Sequence, residues 1–346
     1  MPLRALLDGL DIHSFEFEEL AWENLKMTYK AHSLVMPCCG HSAFPKTSTL
    51  GNFFFAHKSG SHCPYVADSP EHLYLKFLIA QQATAAGWSV MTEKQIGMFD
   101  GIPAVADVYC TRNNVSLAFM VQFPQCDDRW IEDRQAEFTE AGIHRTLWLR
   151  KLRKRSEYYS HGIYQDYNLP VFGIRQNESG DFYLPQFDVC VDDFIAGVFA
   201  GKLSWFPDRR KPLIASIQPR TVNCRRCRKP TNIIERIGIC DHSGMFVADL
   251  FFGDERAKDL LQENMNCLNL NSRGIGQLKS RRRSYGISNG CWHCDTLISD
   301  DSLYYSGNDG KVATSNSMIE FKFDYDGAFY LPEFWLFDGK KSKAIF

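Results

Sequence analysis

No stretch of this sequence approaches the roughly 18 to 20 consecutive apolar residues that a membrane-spanning helix needs, which excludes that class of membrane protein. The opening segment, MPLRALLDGLD, has neither the long apolar centre nor the small-residue cleavage site of a secretory signal, so the expected location is cytoplasmic, with no membrane partner. There is no internal repeat and no low-complexity tract, which excludes solenoids and disordered linkers. A formal net charge of −2 excludes a uniformly basic polyanion binder. Twelve cysteines in 346 residues are too few, and too unevenly spaced, for a disulfide scaffold.

What is present is ample material for a core: 45% of the residues are hydrophobic, and a chain of this length is expected to form two or three domains. Charge is unevenly spread. From Arg150 to Pro230 there are 15 Lys and Arg against 8 Asp and Glu, a surplus of +7, so acidic partners suit that part of the chain. Several cysteines come in pairs, Cys38/Cys39, Cys224/Cys227 and Cys291/Cys294, of the kind a reducing compartment keeps for metal.

Four segments follow from the changes of pattern. Residues 1–66 read as a small module of strands and loops that ends in NFFFAH and gathers histidines and cysteines. Residues 67–155 read as an αβββαβ unit. Ser69 as N-cap, Pro70 at the first helical position and apolar Leu75, Leu78, Ile79 and Ala86 predict a helix over 70–86. Three extended runs, 88–96, 104–111 and 116–123, are separated by the turn signals DGIP and RNN; a helix over 127–142 and a strand over 143–150 complete the order. Residues 156–215 read as bridging strands with a helix packing through Phe194, Val198, Phe199 and Leu203. Residues 216–346 contain both CxxC pairs and end in an aromatic-rich strand region. The fold class expected is α+β.

Within the second segment, alternation along the strands lets Asp107, residue 120 and Gln122 meet at one edge, with Glu71 arriving from the helix. Phosphodiester hydrolysis uses such a group, because a hard cation held by carboxylate and carbonyl oxygens neutralises the phosphate and generates hydroxide. The same residues have plainer explanations: Glu71 is favoured at a helix N-terminus by the macrodipole, and Asp107 suits a strand edge or turn.

The runs FFFAHKSGSHC (53–63), SPEHLYLKFLI (69–79), AVADV (104–108), AFMVQFPQ (118–125), DRQAEFTEAGI (133–143) and TLWLR (146–150) together resemble, in order, the competence-protein CoiA-like family of predicted nucleases. The resemblance implies a restriction-endonuclease-like fold of the PD-(D/E)XK type, acting on DNA with Mg or Mn. By position it makes Glu71 the helix carboxylate and Asp107 the principal metal ligand, with the Val121 carbonyl beside it. Gln122 falls at the place of the motif's lysine. Met120 stands where the family pattern has its second carboxylate, and a soft thioether does not replace a hard anionic oxygen for Mg²⁺. Catalysis is therefore expected to be impaired, with two rescues open: Glu93 reaching in from the first strand, or Met120 being a substitution in an otherwise active protein. The alternative is a non-catalytic DNA-binding or assembly subunit, with protein partners in DNA processing or defence.

Outside this core, two CxxC knuckles at 224–227 and 291–294 present four thiolates suited to tetrahedral Zn²⁺, so Cys224, Cys227, Cys291 and Cys294 predict a zinc ribbon with a subdomain inserted between the knuckles. Cys240, His242 and His293 are spare candidates, while Cys110, Cys126, Cys190 and Cys267 are expected as buried small hydrophobes. A second Cys₂His₂ site is expected from Cys38 or Cys39 with His41, His57 and Cys63, His62 competing with His57; a structural histidine held by a backbone carbonyl is the other explanation. Arg225, Arg226, Arg228 and Lys229 surround the first knuckle, and Lys279, Arg281, Arg282 and Arg283 precede the second. Arg150, Lys151, Arg153, Lys154 and Arg155 form a further basic run. These are expected phosphate contacts, and no base-reading motif accompanies them.

Overall fold

The computed structural model describes residues 2–57, 63, 68–99, 101–123, 128–152, 166–208, 210–281, 284–298, 318–325, 327 and 331–341. Calls on Arg153, Lys154, Arg155, Arg282, Arg283, His62 and Cys126 lie outside these residues. The chain is a mixed α+β protein in two compact units, Met1–Trp205 with Phe334–Phe346, and Phe206–Glu333. The first three expected segments thus share one unit, and the second begins at Phe206 rather than 216.

The first unit opens with strands β1 (Arg4–Leu7) and β2 (Leu10–His13), helix α1 (Glu19–Thr28), β3 (Leu34–Val35) and the hairpin β4 (Ala43–Thr47) and β5 (Phe53–His57). Helix α1 was not expected, because only Trp22 and Leu25 are buried on it and the apolar stripe is too narrow to read. Those two residues nevertheless centre a small core with Ala5, Leu34, Met36, Ala43 and Phe55. Trp22 stacks on Phe53 at 4.9 Å and meets Phe55 edge-on at 5.3 Å.

Helix α2 (Pro70–Ala85) begins as its sequence requires: the Ser69 hydroxyl accepts from the His72 amide at 3.2 Å, and Pro70 occupies the first turn. It is followed by β6 (Ser89–Phe99), β7 (Ile102–Arg112), β8 (Val115–Gln122), α3 (Asp128–Glu140) and β9 (Arg145–Lys151). The order is the αβββαβ expected. β6, β7 and β8 pair antiparallel, and β9 returns parallel to β8.

The sheet does not stop there. β10 (Val171–Gln176), β11 (Phe182–Leu184) and β12 (Val189–Cys190), expected as a bridge, extend it to seven strands in the order β12-β11-β10-β9-β8-β7-β6, with β10 parallel to β9. Helix α4 (Val191–Phe199) then packs through Phe194, Ile195 and Phe199 into the same core as α2. A peripheral sheet of β13 (Leu203–Phe206) awaits its partners from the end of the chain.

Packing explains the burial of each strand. α2 lies on one face, where Leu73, Leu75, Leu78, Ile79 and Ala83 join Val108, Cys110, Leu117, Phe119 and Val121. α3 lies on the other, where Ile131 and Phe138 join Ala104, Ala106, Ala118, Met120 and Trp148. Central β8 is therefore buried on both faces over Ser116–Val121, as a strand covered by helices on each side must be.

The second unit is built on a long hairpin, β14 (Leu213–Asn223) and β15 (Pro230–Cys240), in the sheet order β16-β15-β14-β19 with β16 (Phe246–Phe251) and, after an insertion, β19 (Ile319–Phe323). Between β16 and β19 come α5 (Glu255–Glu263) and the hairpin β17 (Lys279–Arg281) and β18 (Ser284–Ser288). The chain then returns to the first unit as β20 (Phe334–Phe337) and β21 (Lys340–Lys341), which with β13 make the peripheral sheet in the order β13-β20-β21.

Candidate functional site

Asp68, His72 and Lys76 recur every fourth residue, a spacing that aligns side chains along one face of a helix. They form a chain of polar contacts towards the sheet. His72 Nε2 lies 3.3 Å from Asp107 Oδ1 and its Nδ1 lies 3.5 Å from Asp68 Oδ1. Lys76, fully buried, places Nζ 3.0 Å from Asp68 Oδ2 and 2.5 Å from Glu93 Oε1. Burial pushes the Asp68 carboxyl up, but Lys76 and His72 outweigh it and hold that group well below the usual carboxylate range. No motif in the sequence marks these three residues; their only signal there is the spacing of four.

The strands meet this helix at a break in their alternation. Ala104 and Ala106 face α3, whereas Val108 and Cys110 face α2, so the side-chain pattern of β7 reverses at Asp107. Its neighbour across the ladder is Glu93, since Thr92 pairs with Val108 and Lys94 with Ala106. Glu93 has φ +48, a left-handed conformation that non-glycine residues rarely adopt and that tends to persist at functional sites. On the other side, pairing of β7 with β8 ends at Val108–Phe119, and beyond it Asp107 Oδ2 accepts from the Val121 amide at 2.8 Å.

The expected metal-binding residues are thus dispersed. Asp107 is held by His72 on the α2 side and by the Val121 amide, while Met120 packs with the apolar residues under α3. The reversal at Asp107 is what separates them, and the expected meeting of Asp107 with residue 120 at one edge is corrected accordingly. Glu93 is engaged by Lys76 and by the Leu3 amide. Glu71 sits in the first turn of α2, its carboxyl lowered by its own backbone N–H, by the Ser69 hydroxyl and by nearby Lys151. Gln122 ends β8 opposite Arg150. Lys151 and His72 both approach Phe123, Lys151 Nζ at 5.0 Å over the ring and the imidazole stacked at 5.8 Å. Among the described residues, Glu71, Glu93 and Asp107 form no three-ligand group within 4.8 Å; the two that do are built on cysteine.

The first of these is Cys224, Cys227, Cys291 and Cys294, with Sγ–Sγ distances of 3.6 Å for Cys224–Cys294 and for Cys227–Cys291. The knuckles are alike. In the first, Cys224 N–H donates to Lys229 O, Arg228 N–H returns to Cys224 O, and Arg228 has φ +58. In the second, Cys291 N–H donates to Thr296 O, Asp295 N–H returns to Cys291 O, and Asp295 has φ +58. The Thr296 hydroxyl and amide lower the Cys294 thiol to about 6, and the Cys227 and Arg226 amides lower that of Cys224. Cys227, despite the Lys229 amide that favours its thiolate, is driven up to about 11 by burial and by the neighbouring thiols. A cation among the four relieves that crowding, and four sulfurs fit structural zinc.

The second group is Cys38, Cys39, His57 and Cys63, with Cys38 Sγ 3.3 Å from His57 Nε2 and 3.6 Å from Cys63 Sγ. Burial and then the Cys63 and Cys39 thiols push Cys38 up to about 12, while burial lowers His57 towards the neutral imidazole that a metal accepts. His41, expected as a ligand, is outside the group and Cys39 is inside it. The turn explains why. Met36 N–H donates to His41 O and Gly40 N–H returns to Met36 O, with Gly40 at φ +68, so this is the same knuckle turn with buried Met36 at the place of the first cysteine. Cys39 falls at the second place, and Cys38 supplies the sulfur that Met36 does not.

The spare candidates are used elsewhere. His293 Nε2 lies 2.9 Å from Pro230 O, and His242 Nε2 lies 3.0 Å from Lys211 Nζ. Cys240, half-buried, belongs to neither group. Cys110 is buried as expected, but Cys190 and Cys267 are exposed: Cys190 caps α4 by accepting from the Asp193 amide, and Cys267 donates to Asn264 O. Arg225, Arg226, Arg228 and Lys229 are all exposed around the first knuckle, and Arg281 ends β17. No protein-family model matches the chain, and no curated protein matches it significantly.

Proposed function

We propose that the first unit is a restriction-endonuclease-like core of the CoiA-like type that engages DNA, and that its capacity to hydrolyse it is impaired. The observation that carries this is Asp107 where β7 and β8 part, its carboxylate gripping the Val121 amide, within a helix, three-strand, helix, strand order. Lys151 beside Glu71 supplies a cation at the same end of α2.

A divalent Mg or Mn ion would contribute phosphate neutralisation and an activated water. The donors beside Asp107 fit it poorly: one carboxylate and an imidazole fall short of the oxygen set that Mg²⁺ requires. No hydrolytic step is assigned through it.

That shortfall, with Met120 in an apolar cluster, favours a second reading: a DNA-binding or assembly subunit that keeps the fold for recognition. Labelled DNA incubated with the full chain in Mn²⁺ separates the two. Products that accumulate with time and vanish in Asp107→Ala support a weakened nuclease; a salt-sensitive mobility shift without products supports the binder.

A further inference from the structure

The tip of the second unit combines two features, a basic loop and an exposed indole. The loop of the first knuckle exposes Arg225, Arg226, Arg228 and Lys229, and no ion pair among the described residues occupies any of them. The loop of the second exposes Trp292, with 51% of its surface open. An indole with half its surface in solvent still offers area on which a ligand ring can stack.

Its position is fixed from three directions. The Trp292 amide donates to Thr231 Oγ1 at 2.9 Å. His293 meets the indole edge-on at 4.8 Å and is itself bound to Pro230 O at 2.9 Å, one residue beyond Lys229. The four cysteines hold the two loops together, Cys224 against Cys294 at 3.6 Å. The one acidic residue of the second loop, Asp295, is paired with Lys279 and so does not neutralise the four cations.

We propose that this tip is a binding site for single-stranded DNA, with Trp292 stacking on an unpaired base while Arg225, Arg226, Arg228 and Lys229 contact the flanking phosphates. Duplex DNA keeps its base faces covered, so an exposed indole gains nothing from it; a single strand offers a face at every nucleotide. The proposal rests on the DNA reading above but on different residues, none of them in the first unit.

The test is fluorescence anisotropy of a labelled oligothymidylate titrated with the zinc-loaded full chain. Trp292→Ala is expected to weaken binding by about fivefold to a hundredfold, the range of one lost base stack, with Trp292→Phe retaining most of it. Arg225→Ala and Arg226→Ala are each expected to flatten the dependence of log K on log salt by about 0.7. Unchanged zinc content in each variant separates lost contact from lost fold. Equal affinity of Trp292→Ala and the parent chain, or tighter binding of duplex than of single strand, overturns the proposal. The anisotropy is run without added Mg²⁺ or Mn²⁺ and cleavage is read separately, so a core that fails as a nuclease leaves the tip independently judged by Trp292→Ala and by the preference for single strand over duplex.

Discussion

Lys76 carries no exposed surface, yet it bears a charge, and what makes that tolerable is the pair of carboxylates on either side of it. Removing one member of such a buried set strands the others, at a cost of about 3 to 5 kcal/mol. Lys76→Met is therefore expected to lower the unfolding free energy, extrapolated from urea titration at neutral pH, by that amount. The pH dependence gives the sign. In the parent, Asp68 is depressed, so its contribution is complete above the ordinary Asp value of 3.8 and fades only as the pH falls below it towards the folded value. In Lys76→Met burial acts on Asp68 without its main counter-charge, and the variant is expected to gain stability on mild acidification where the parent does not. Parallel urea titrations at pH 7 and 5 check this.

Residue 120 gives a sharper case. A carboxylate placed among Ala104, Ala106, Ala118 and Trp148 loses its water to apolar neighbours, so Met120→Glu is expected to destabilise the fold by about 3 kcal/mol in metal-free buffer. Because residue 120 packs under α3 while Asp107 turns to His72, Mn²⁺ is expected to leave that loss unrecovered and cleavage unraised; a recovery that Asp107→Ala abolishes would contradict this placement. Loss of stability indifferent to Mn²⁺ means that residue 120 does not share an ion with Asp107.

Among the elements, the second knuckle depends on unusually close backbone contacts. A Cβ on Gly276 would stand 2.3 Å from Gly290 O, and Asn289 clamps Ile234 by accepting from its N–H at 2.8 Å and donating to its C=O at 3.0 Å. Asn289→Ala leaves both groups of Ile234 unmatched in a buried place, a loss of about 1 to 3 kcal/mol. Zinc should then leave the Cys224 group under weaker chelator than in the parent. Mass spectrometry under native conditions is expected to find two zinc ions per chain, one of which Cys294→Ser removes. A chain that purifies and folds without zinc contradicts both assignments.

Elements were legible in the sequence where local chemistry dictates them. Ser69-Pro70 starts α2, and Asn113 and Asn114, both at positive φ, make the tight turn joining β7 to β8. What was not legible is non-local: the parallel pairing of β10 with β9, which turned an expected bridge into sheet, and the membership of the cysteine–histidine group in the first unit, where Met36 holds the place of a knuckle's first cysteine. The candidate site was half legible. The strand that carries Asp107 could be read, but the break in alternation that turns this residue from Met120 towards His72 leaves no mark in the spacing of residues.

For the whole molecule, the two units differ in architecture: a sheet flanked by helices in one, a knuckle-tipped hairpin in the other. Net charge is near neutral while the exposed knuckle loop is strongly basic, so DNA affinity should fall steeply with salt without the chain being a general polycation. Of all measurements, the most direct is a time course of labelled DNA with the zinc-loaded chain in Mn²⁺, run beside Asp107→Ala. The expected result is salt-sensitive retention of DNA by both proteins, with at most slow product formation by the parent and none by the variant. Failure to retain DNA at low salt, or rapid cleavage that survives loss of Asp107, contradicts it.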